Sequence, residues 1–535
     1  MRFGASRFVF ALGVWVFLSP PVQAAECTGT RYECALFYVE HQNFQAAIHS
    51  LTAELQQQPQ NLNALNLLGI ALTGAGQPQK AAATFKQALI IDPHFYPARK
   101  NLAINEFDLK HFGEAEIQFN RVLKDAPADE IAHLYLGEIS YGKKDLATAA
   151  KHYEVGRKRI GLKAPWILHY AECLLAQKDV SQAIAVLKLL PQGDGERRFQ
   201  AGLILGRAEA YAPAAEFFAS ARKHYSDPYV AGYDQLLMLI RGKSYPEAIQ
   251  LFHELTSQGQ VYQRAELYNL VSEAYLKMDR VQEAYDVLRT ATRLDPEAED
   301  NYVDLASVCL EYEDYPLGKE ILDVGIHYIP KSYRLYIQRG VTFVMRGSLA
   351  EAEKDFQTAS ELAPDKSLPY FALGWVWVQS AQTDKAVKVL REKSKLPGMD
   401  FLIPYIFGVA LVHSGAEAGT AAADEAVSAF ESSIRLNANF SHSHAELGKL
   451  LYKEGQTDRA ISELKAATAL DPGDSGPVYV LAQAYRKKGE KAEADQMLAK
   501  IAALHSEDHN QDLKKELKRL VRQDTGPPSQ MQATP

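Results

Sequence analysis

The 535-residue sequence lacks the residue patterns on which most enzymes depend. It contains no glycine-rich phosphate loop, no Gly-x-Ser-x-Gly nucleophile elbow and no His-Glu-x-x-His zinc helix. Its four cysteines do not have the spacing of a zinc site. Histidines near 442–444 and 505–509 could bind a metal, but solvated helix-end residues are the simpler interpretation. We therefore predict a protein that is not an enzyme and that needs no cofactor or metal.

The chain also has fewer basic residues than acidic residues. The chain has 58 Lys and Arg residues against 66 Asp and Glu residues, which gives a formal net charge of -8. Nucleic-acid-binding domains usually carry a basic stripe or patch. The charge balance therefore argues against a nucleic-acid partner.

Long apolar runs are rare, and the one near the start is short. Phe8–Leu18 is an apolar run of eleven residues, preceded by Arg2 and Arg7. That length is too short to span a bilayer, whereas a basic start, a short apolar run and small residues before a cut are typical of a signal peptide. We predict a signal peptide at residues 1–24, cleaved after Ala24 or Ala25. The protein would then be exported to a periplasm or the cell exterior, without a membrane span in the mature chain. An uncleaved anchor or a buried helix is the alternative.

The cysteines fall into two groups. Cys27 and Cys34 lie seven residues apart in a chain that we expect to be exported, and disulfides persist outside the cytosol. The sequence leaves open whether they form a bridge. Glu26 directly before Cys27 argues against lipidation. Cys173 and Cys309 lie on apolar helix faces, so we predict that they are small buried hydrophobes.

What the sequence does contain is a repeat. Apolar residues recur at steps of three and four, as in Leu65, Leu68 and Leu72, and then again around Ala81 and Phe85, which predicts two successive helices. A proline closes the pair, because proline cannot continue a helix interior. A fixed step of 34 residues predicts stacked helical hairpins. The step is seen in two series of prolines: Pro59, Pro93 and Pro127, then Pro296, Pro330 and Pro364.

These hairpins resemble the tetratricopeptide repeat. The resemblance rests on Leu68, Gly69, Ala81, Phe85 and Pro93 and on their counterparts in later steps. It covers about fourteen units and nearly the whole mature chain. It implies an all-α fold, a right-handed superhelical solenoid of helix-turn-helix units. The units are expected to start near residues 28, 62, 96, 130, 164, 195, 229, 265, 299, 333, 367, 401, 441 and 475.

An irregular junction, Pro191–Gly195, predicts a division of the array. We expect N-terminal repeats at residues 25–194 and central and C-terminal repeats at residues 195–504. Leu513, Leu517 and Leu520 form an apolar stripe that predicts a capping helix at residues 505–523, because the end of a solenoid needs a polar outer face. Residues 524–535 are expected to be a disordered tail.

The resemblance also implies a binding surface, because the first helix of each family hairpin lines the inner groove. Residues one, four, eight and eleven places after each unit start should point inward. In three neighbouring units these positions are apolar apart from Arg334, which predicts a solvent-facing partner groove. If the phase is off by one residue, if curvature closes the groove or if the nearby Ala/Gly-rich insert fills it, the same side chains are core. The predicted groove residues are Ile337, Val341, Val344, Phe371, Trp375, Val378, Tyr405, Val409 and Val412.

The expected function is a non-catalytic protein–protein interaction scaffold that binds a peptide or protein segment in the concave groove. Polar residues such as Asn66, Lys100, Asn269 and Glu273 would form its walls. One alternative is a periplasmic or envelope assembly component of a polysaccharide or protein export machine. Another is an accessory subunit of an enzyme. The sequence does not identify the partner.

Overall fold

A computed structural model describes residues 27–157, 164–503 and 517. In this part of the chain the backbone forms twenty-eight α-helices, one 3-10 turn at Gln260–Tyr262 and no strand. The chain divides into two compact units, Met1–Pro228 and Tyr229–Pro535. The predicted signal peptide and tail lie outside the described residues.

The helices are numbered in chain order. Those up to residue 228 are α1 Arg31–Glu40, α2 Phe44–Gln57, α3 Leu62–Gly74, α4 Pro78–Ile91, α5 Tyr96–Asp108, α6 Phe112–Asp125, α7 Glu130–Gly142, α8 Leu146–Gly156, α9 Ala164–Ala176, α10 Val180–Leu187, α11 Gly195–Arg207 and α12 Tyr211–Ala221.

The remaining helices are α13 Pro228–Arg241, α14 Tyr245–Ser257, α15 Ala265–Lys277, α16 Val281–Leu294, α17 Glu299–Glu311, α18 Tyr315–Tyr328, α19 Tyr333–Met345, α20 Leu349–Leu362, α21 Ser367–Gln379, α22 Thr383–Lys393, α23 Leu402–His413, α24 Ala421–Leu436, α25 Ser441–Lys453, α26 Thr457–Leu470, α27 Ser475–Lys488 and α28 Lys491–Ala503.

Each odd-numbered helix packs against the even-numbered helix that follows it, α13 and α14 through a shared apolar cluster, so the described residues form fourteen hairpins. Within each unit a hairpin also packs on the next hairpin along the chain. The first helix of every hairpin begins within three residues of the unit start predicted from the sequence. The all-α repeat fold is therefore confirmed.

Local chemistry fixes where the helices begin and turn. Asn61 and Asp129 accept hydrogen bonds from the third residue beyond them and so cap α3 and α7. After the first helix of a hairpin, one residue takes a left-handed backbone conformation and reverses the chain. Gly76 occupies that place with φ 72°, and Lys110 occupies it in the next hairpin with φ 63°. Glycine tolerates this conformation at no steric cost, whereas lysine does not.

The signature glycine and aromatic residue of the repeat pack against each other. A Cβ atom added at Gly69 would lie 2.3 Å from the Phe85 ring, and one added at Gly340 would lie 2.3 Å from the Phe356 ring. Phe85 and Phe356 are both fully buried. The two helices of a hairpin therefore approach closely because glycine leaves room for the ring.

The grouping of the repeats on either side of residues 194 and 195 stays a prediction, and contacts cross that junction. Arg198 donates from Nη1 to the Leu190 carbonyl oxygen at 3.0 Å, and Asp194 Oδ1 accepts from the Arg197 backbone at 3.1 Å. A Cβ atom at Gly195 would lie 2.2 Å from the carbonyl carbon of His224. These contacts hold the junction inside the first unit, and the two units separate one hairpin later, after Pro228.

Most of the predicted capping helix lies outside the described residues. Leu517 is described as helical and fully buried. It belongs to the same apolar cluster as Leu481 and Tyr485 of α27. The capping helix thus remains a prediction, and the burial of Leu517 agrees with it.

Candidate functional site

The solvent-facing apolar groove predicted in the second unit is absent from this structure. Eight of its nine residues are buried, with exposed fractions between 0 and 8%, and the ninth is half-buried. The prediction that they face solvent is wrong, and the alternative that they are core is right. The buried residues are Ile337, Val341, Val344, Phe371, Trp375, Val378, Tyr405 and Val409; Val412 is the half-buried one.

The reason is the packing of α21 against α23. These two first helices contact each other directly, and every residue from 367 to 378 on α21 is buried. The Phe371 and Tyr405 rings lie 6.3 Å apart, and Tyr405 meets the edge of Phe440 at 5.0 Å. Large aromatic side chains at the inner positions therefore fill the space that a partner would need.

An open cavity occurs instead in the first unit, between the first helices of three successive hairpins, α7, α9 and α11. It has a volume of about 650 Å³, which is in the range of small-molecule and side-chain pockets. We call it the α9–α11 groove. Its lining residues are Tyr141, Pro165, Leu168, His169, Glu172, Glu196, Arg197, Gln200, Leu203, Ile204 and Arg207.

One wall of the α9–α11 groove is a hydrogen-bonded network. The Tyr141 ring stacks on His169 with centroids 4.1 Å apart, and the Tyr141 hydroxyl donates to Glu172. His169 Nδ1 lies 3.0 Å from Glu138 Oε1, which also accepts from the Tyr153 hydroxyl at 2.6 Å. Burial and the contact with Glu172 raise the pKa of Tyr141, so its hydroxyl stays protonated and keeps donating. This wall is therefore fixed in place by its own contacts.

The opposite wall comes from α11 and is more exposed. Arg197 pairs with Asp194 at 2.7 Å, and Glu196 accepts from the Ser226 backbone at 3.2 Å. Gln200 and Arg207 are exposed and make no hydrogen bond or ion pair with a described residue. These two side chains are therefore available to a ligand.

The floor of the groove is apolar. Leu168 is buried, whereas Leu203 and Ile204 are only half-buried. An apolar ligand group placed against them would remove that remaining surface from water, which is favourable. The groove thus combines an apolar floor, a fixed polar wall and a wall with an unpaired cation.

Sequence reasoning missed this site, although five of the eight inward positions that its rule gives for α9 and α11 belong to the groove lining. The rule places Pro165, Leu168 and Glu172 of α9, and Glu196 and Leu203 of α11, on the inner face, and all five line the groove. The mixed polarity of these positions hid them from a search for contiguous apolar residues. Inward positions of mixed polarity, and not uniformly apolar ones, would have predicted the location of the groove.

The described cysteines and histidines singled out from the sequence lie outside the groove lining, and residues 505–509 lie outside the described part of the chain. Cys27 and Cys34 are joined by a disulfide with Cα atoms 5.3 Å apart. Cys173 and Cys309 are free and buried, which confirms their role as core residues. His444 Nδ1 lies 2.7 Å from Glu463 Oε2, and this hydrogen bond raises the pKa of His444. Among the described residues no group of three or more His, Cys, Asp and Glu side chains is arranged to hold a metal ion.

Family comparisons agree with the hairpin architecture. Three family models, each described as a tetratricopeptide repeat, match the chain at residues 72–137 and 451–517, at residues 35–94 and 416–475, and at residues 265–297. The chain belongs to the tetratricopeptide repeat family. Proteins of this family bind protein partners and are generally non-catalytic scaffolds.

Solved structures that resemble this tetratricopeptide repeat protein do so at low identity. Cut9, in the Cut9–Hcn1 hetero-tetramer of APC/C, is 14% identical, with 91% of this chain and 95% of that chain covered and a TM-score of 0.37. Yeast Tom70 is 17% identical, with 80% and 96% covered and a TM-score of 0.39. MamA is 20% identical, with 34% and 96% covered and a TM-score of 0.27. These scores support no inference about partners or overall shape.

No curated protein matches this tetratricopeptide repeat protein significantly. Among its described helices, none combines the length and the apolar character needed to cross a bilayer.

Proposed function

We propose that this tetratricopeptide repeat protein is a non-catalytic scaffold that binds a peptide segment of a partner protein in the α9–α11 groove. The observation that supports this proposal is the open cavity of about 650 Å³ between successive inner helices. The groove predicted farther along the chain offers no such space, because its residues are core. The binding surface is therefore assigned to the first unit.

The chemistry of the groove suggests what the peptide carries. An apolar side chain would lie against Leu203 and Ile204, which are incompletely buried without a ligand. A carboxylate would pair with Arg207, which has no described partner. Arginine binds carboxylates through two parallel hydrogen bonds, so such a contact would also orient the peptide.

A scaffold fits this groove better than a catalyst. Glu138 is engaged by His169 and Tyr153, and Glu172 is engaged by Tyr141. Through these hydrogen bonds the two carboxylates position the side chains of the wall. The general behaviour of the family supports the same conclusion.

We also propose that the protein is exported to a periplasm or the cell exterior. The support is the signal-peptide pattern at residues 1–24 together with the bridged pair Cys27 and Cys34 just beyond it. Fractionation of cells expressing the full chain, compared with a chain lacking residues 2–24, tests this proposal. Exported protein should be shortened by the leader and should resist thiol alkylation at both cysteines. Full-length, alkylatable protein in the cytosol would contradict it.

Photo-crosslinking in the native cell tests the binding site. A crosslinking amino acid at Gln200 should capture a discrete partner, whereas one at Glu216, exposed on α12 of the same hairpin, should not. Adding Arg207→Glu should abolish the capture from Gln200, because the new charge would repel the partner's carboxylate. Equal capture from Gln200 and Glu216, or capture unaffected by Arg207→Glu, would rule out the α9–α11 groove as the docking site.

A further inference from the structure

In the second unit, the first helices α15, α17 and α19 each carry a polar side chain with one oxygen atom that is shielded from solvent. Asn269 Oδ1, Asp304 Oδ2 and Gln338 Oε1 are each buried and accept no hydrogen bond from any described residue. Buried polar atoms are nearly always hydrogen-bonded, so three lone acceptors on neighbouring helices require an explanation. We call these three residues the acceptor triad.

Hydrogen bonds made by the same side chains bring the triad to one stripe of α17. Gln338, which is only 2% exposed, donates from Nε2 to Ser307 Oγ at 2.9 Å. Asn269 donates from Nδ2 to Asn301 Oδ1. Asn301, Asp304 and Ser307 follow one another at steps of three residues, so they share a face of the helix. Asn269 therefore contacts α17 about one turn before Asp304, and Gln338 contacts it about one turn after Asp304.

The surroundings of the triad are acidic. Burial, with a smaller contribution from Asp300, raises the pKa of Asp304 to about 7, and Arg334 opposes this rise. Arg334 itself donates from Nη1 to Asp300 at 2.6 Å and lies 3.8 Å from Glu299. The positive charge nearest to Asp304 is thus already shared with two other carboxylates.

More negative charge lies on α15. Glu266 and Glu273 stand three residues before and four residues after Asn269, which puts all three on one face of that helix. No ion pair with a described residue involves either glutamate. A ligand at the acceptor triad would therefore contact the three unpaired acceptor atoms and would also experience the negative potential of the neighbouring carboxylates.

We propose that the acceptor triad binds a cationic N–H donor, namely a lysine or arginine side chain of a basic peptide. Such a group supplies the missing donors and the missing positive charge together, whereas water supplies donors alone. Hydrogen bonds to a charged donor are also the stronger kind. This site belongs to the second unit and does not depend on the function proposed for the α9–α11 groove.

Binding of defined peptides to the full-length protein tests this site. The probes are fluorescein-labelled tetralysine and tetraarginine peptides, with a tetraglutamate peptide for comparison. Fluorescence polarisation should show binding of the basic peptides only. D304N should weaken that binding at least tenfold. D286N, the same change at an exposed position of α16, should alter it less than twofold.

A pH titration of the wild-type protein gives a second readout that needs no variant. Because Asp304 must be ionised to attract a cation, affinity for tetralysine should fall several-fold between pH 8 and pH 6. D304N should show no such fall. Far-UV circular dichroism confirms that each variant is folded.

Three results would overturn the proposal. Equal weakening by D304N and D286N would mean that the peptide binds general surface charge. A wild-type affinity that does not change with pH would exclude Asp304 as the ligand. An absence of binding would mean that water satisfies the triad. R207E, which disrupts the α9–α11 groove, should leave tetralysine binding unchanged, so the two proposals can fail separately.

Discussion

The inner faces of α9 and α11 and of α21 and α23 are built from the same repeat positions, yet one is open and the other is filled. At the fifth and ninth positions α9 carries Leu168 and Glu172, whereas α21 carries Phe371 and Trp375. The first pair borders a cavity, and the second pair is buried. The size and polarity of the inner side chains, and not their inward direction, decide whether a hairpin array leaves room for a ligand.

The largest test of this comparison is a pair of truncations, one on each inner face. Phe371→Ala should reduce the free energy of unfolding of its region by about 3–5 kcal/mol, because it removes a fully buried ring. Leu203→Ala should cost about 1 kcal/mol or less, since Leu203 is half-buried at an open surface. Urea unfolding of both variants against the wild-type protein measures the difference. Equal losses would show that both faces are core.

A second test concerns α17, whose buried carboxyl group Asp304 has no counterpart on the open face of α9 and α11 or on the filled face of α21 and α23. The folded-state pKa of Asp304, about 7, exceeds the ordinary value of 3.8. Between these two pKa values the folded protein keeps the Asp304 proton, whereas the unfolded chain releases it. The stability that this proton uptake provides is therefore lost as pH rises from about 4 to about 7. D304N removes the cost of burying the charge, and a shift of about three pKa units corresponds to about 4 kcal/mol, so at pH 8 the variant should be more stable than the wild-type protein by up to that amount.

Thermal melts at pH 5 and pH 8 measure this effect. The advantage of D304N should shrink at pH 5, where the wild-type carboxyl is mostly protonated. A constant difference at the two pH values would mean that Asp304 is not the titrating group.

The smallest test concerns the reversing residue inside each hairpin. In the first unit this place is held by lysine at Lys144, with φ 63°, and in the second by glycine at Gly347, with φ 76°. Left-handed backbone costs a non-glycine residue roughly 1–2 kcal/mol, less the extra freedom that glycine loses on folding. Lys144→Gly should therefore stabilise its unit by about 0.5–1 kcal/mol, and Gly347→Lys should destabilise its unit by a similar amount. Denaturation midpoints that move the same way in both variants would contradict this.

The fold could be predicted because its determinants are local. The close pairing of Gly69 with Phe85 and the proline that closes many of the hairpins recur in the sequence at a fixed spacing, and the helices begin where that spacing places them. Even the inward direction of Phe371 and Tyr405 followed from their place in the repeat. What the repeat could not reveal is how closely α21 approaches α23.

The candidate site was missed because it depends on contacts between hairpins. Tyr141 and His169 stack although they belong to successive hairpins, and neither sequence segment contains a pattern that predicts this contact. Likewise, Asp304 on α17 is influenced by the charge of Arg334 on α19, one hairpin later. Such features follow from side chains about one repeat apart, and sequence periodicity carries no information about how they meet.

The disulfide between Cys27 and Cys34 spans the start of α1, where Thr30 and Glu33 also form a capping box. In a linear stack of hairpins, an internal unit is protected by a neighbour on each side, whereas a terminal unit can peel away by breaking one interface. The bridge joins the loop before α1 to the first turn of that helix, so it stabilises the start of α1. Reducing agents should therefore first expose the amides of α1 and α2 to hydrogen exchange and leave distant hairpins unaffected.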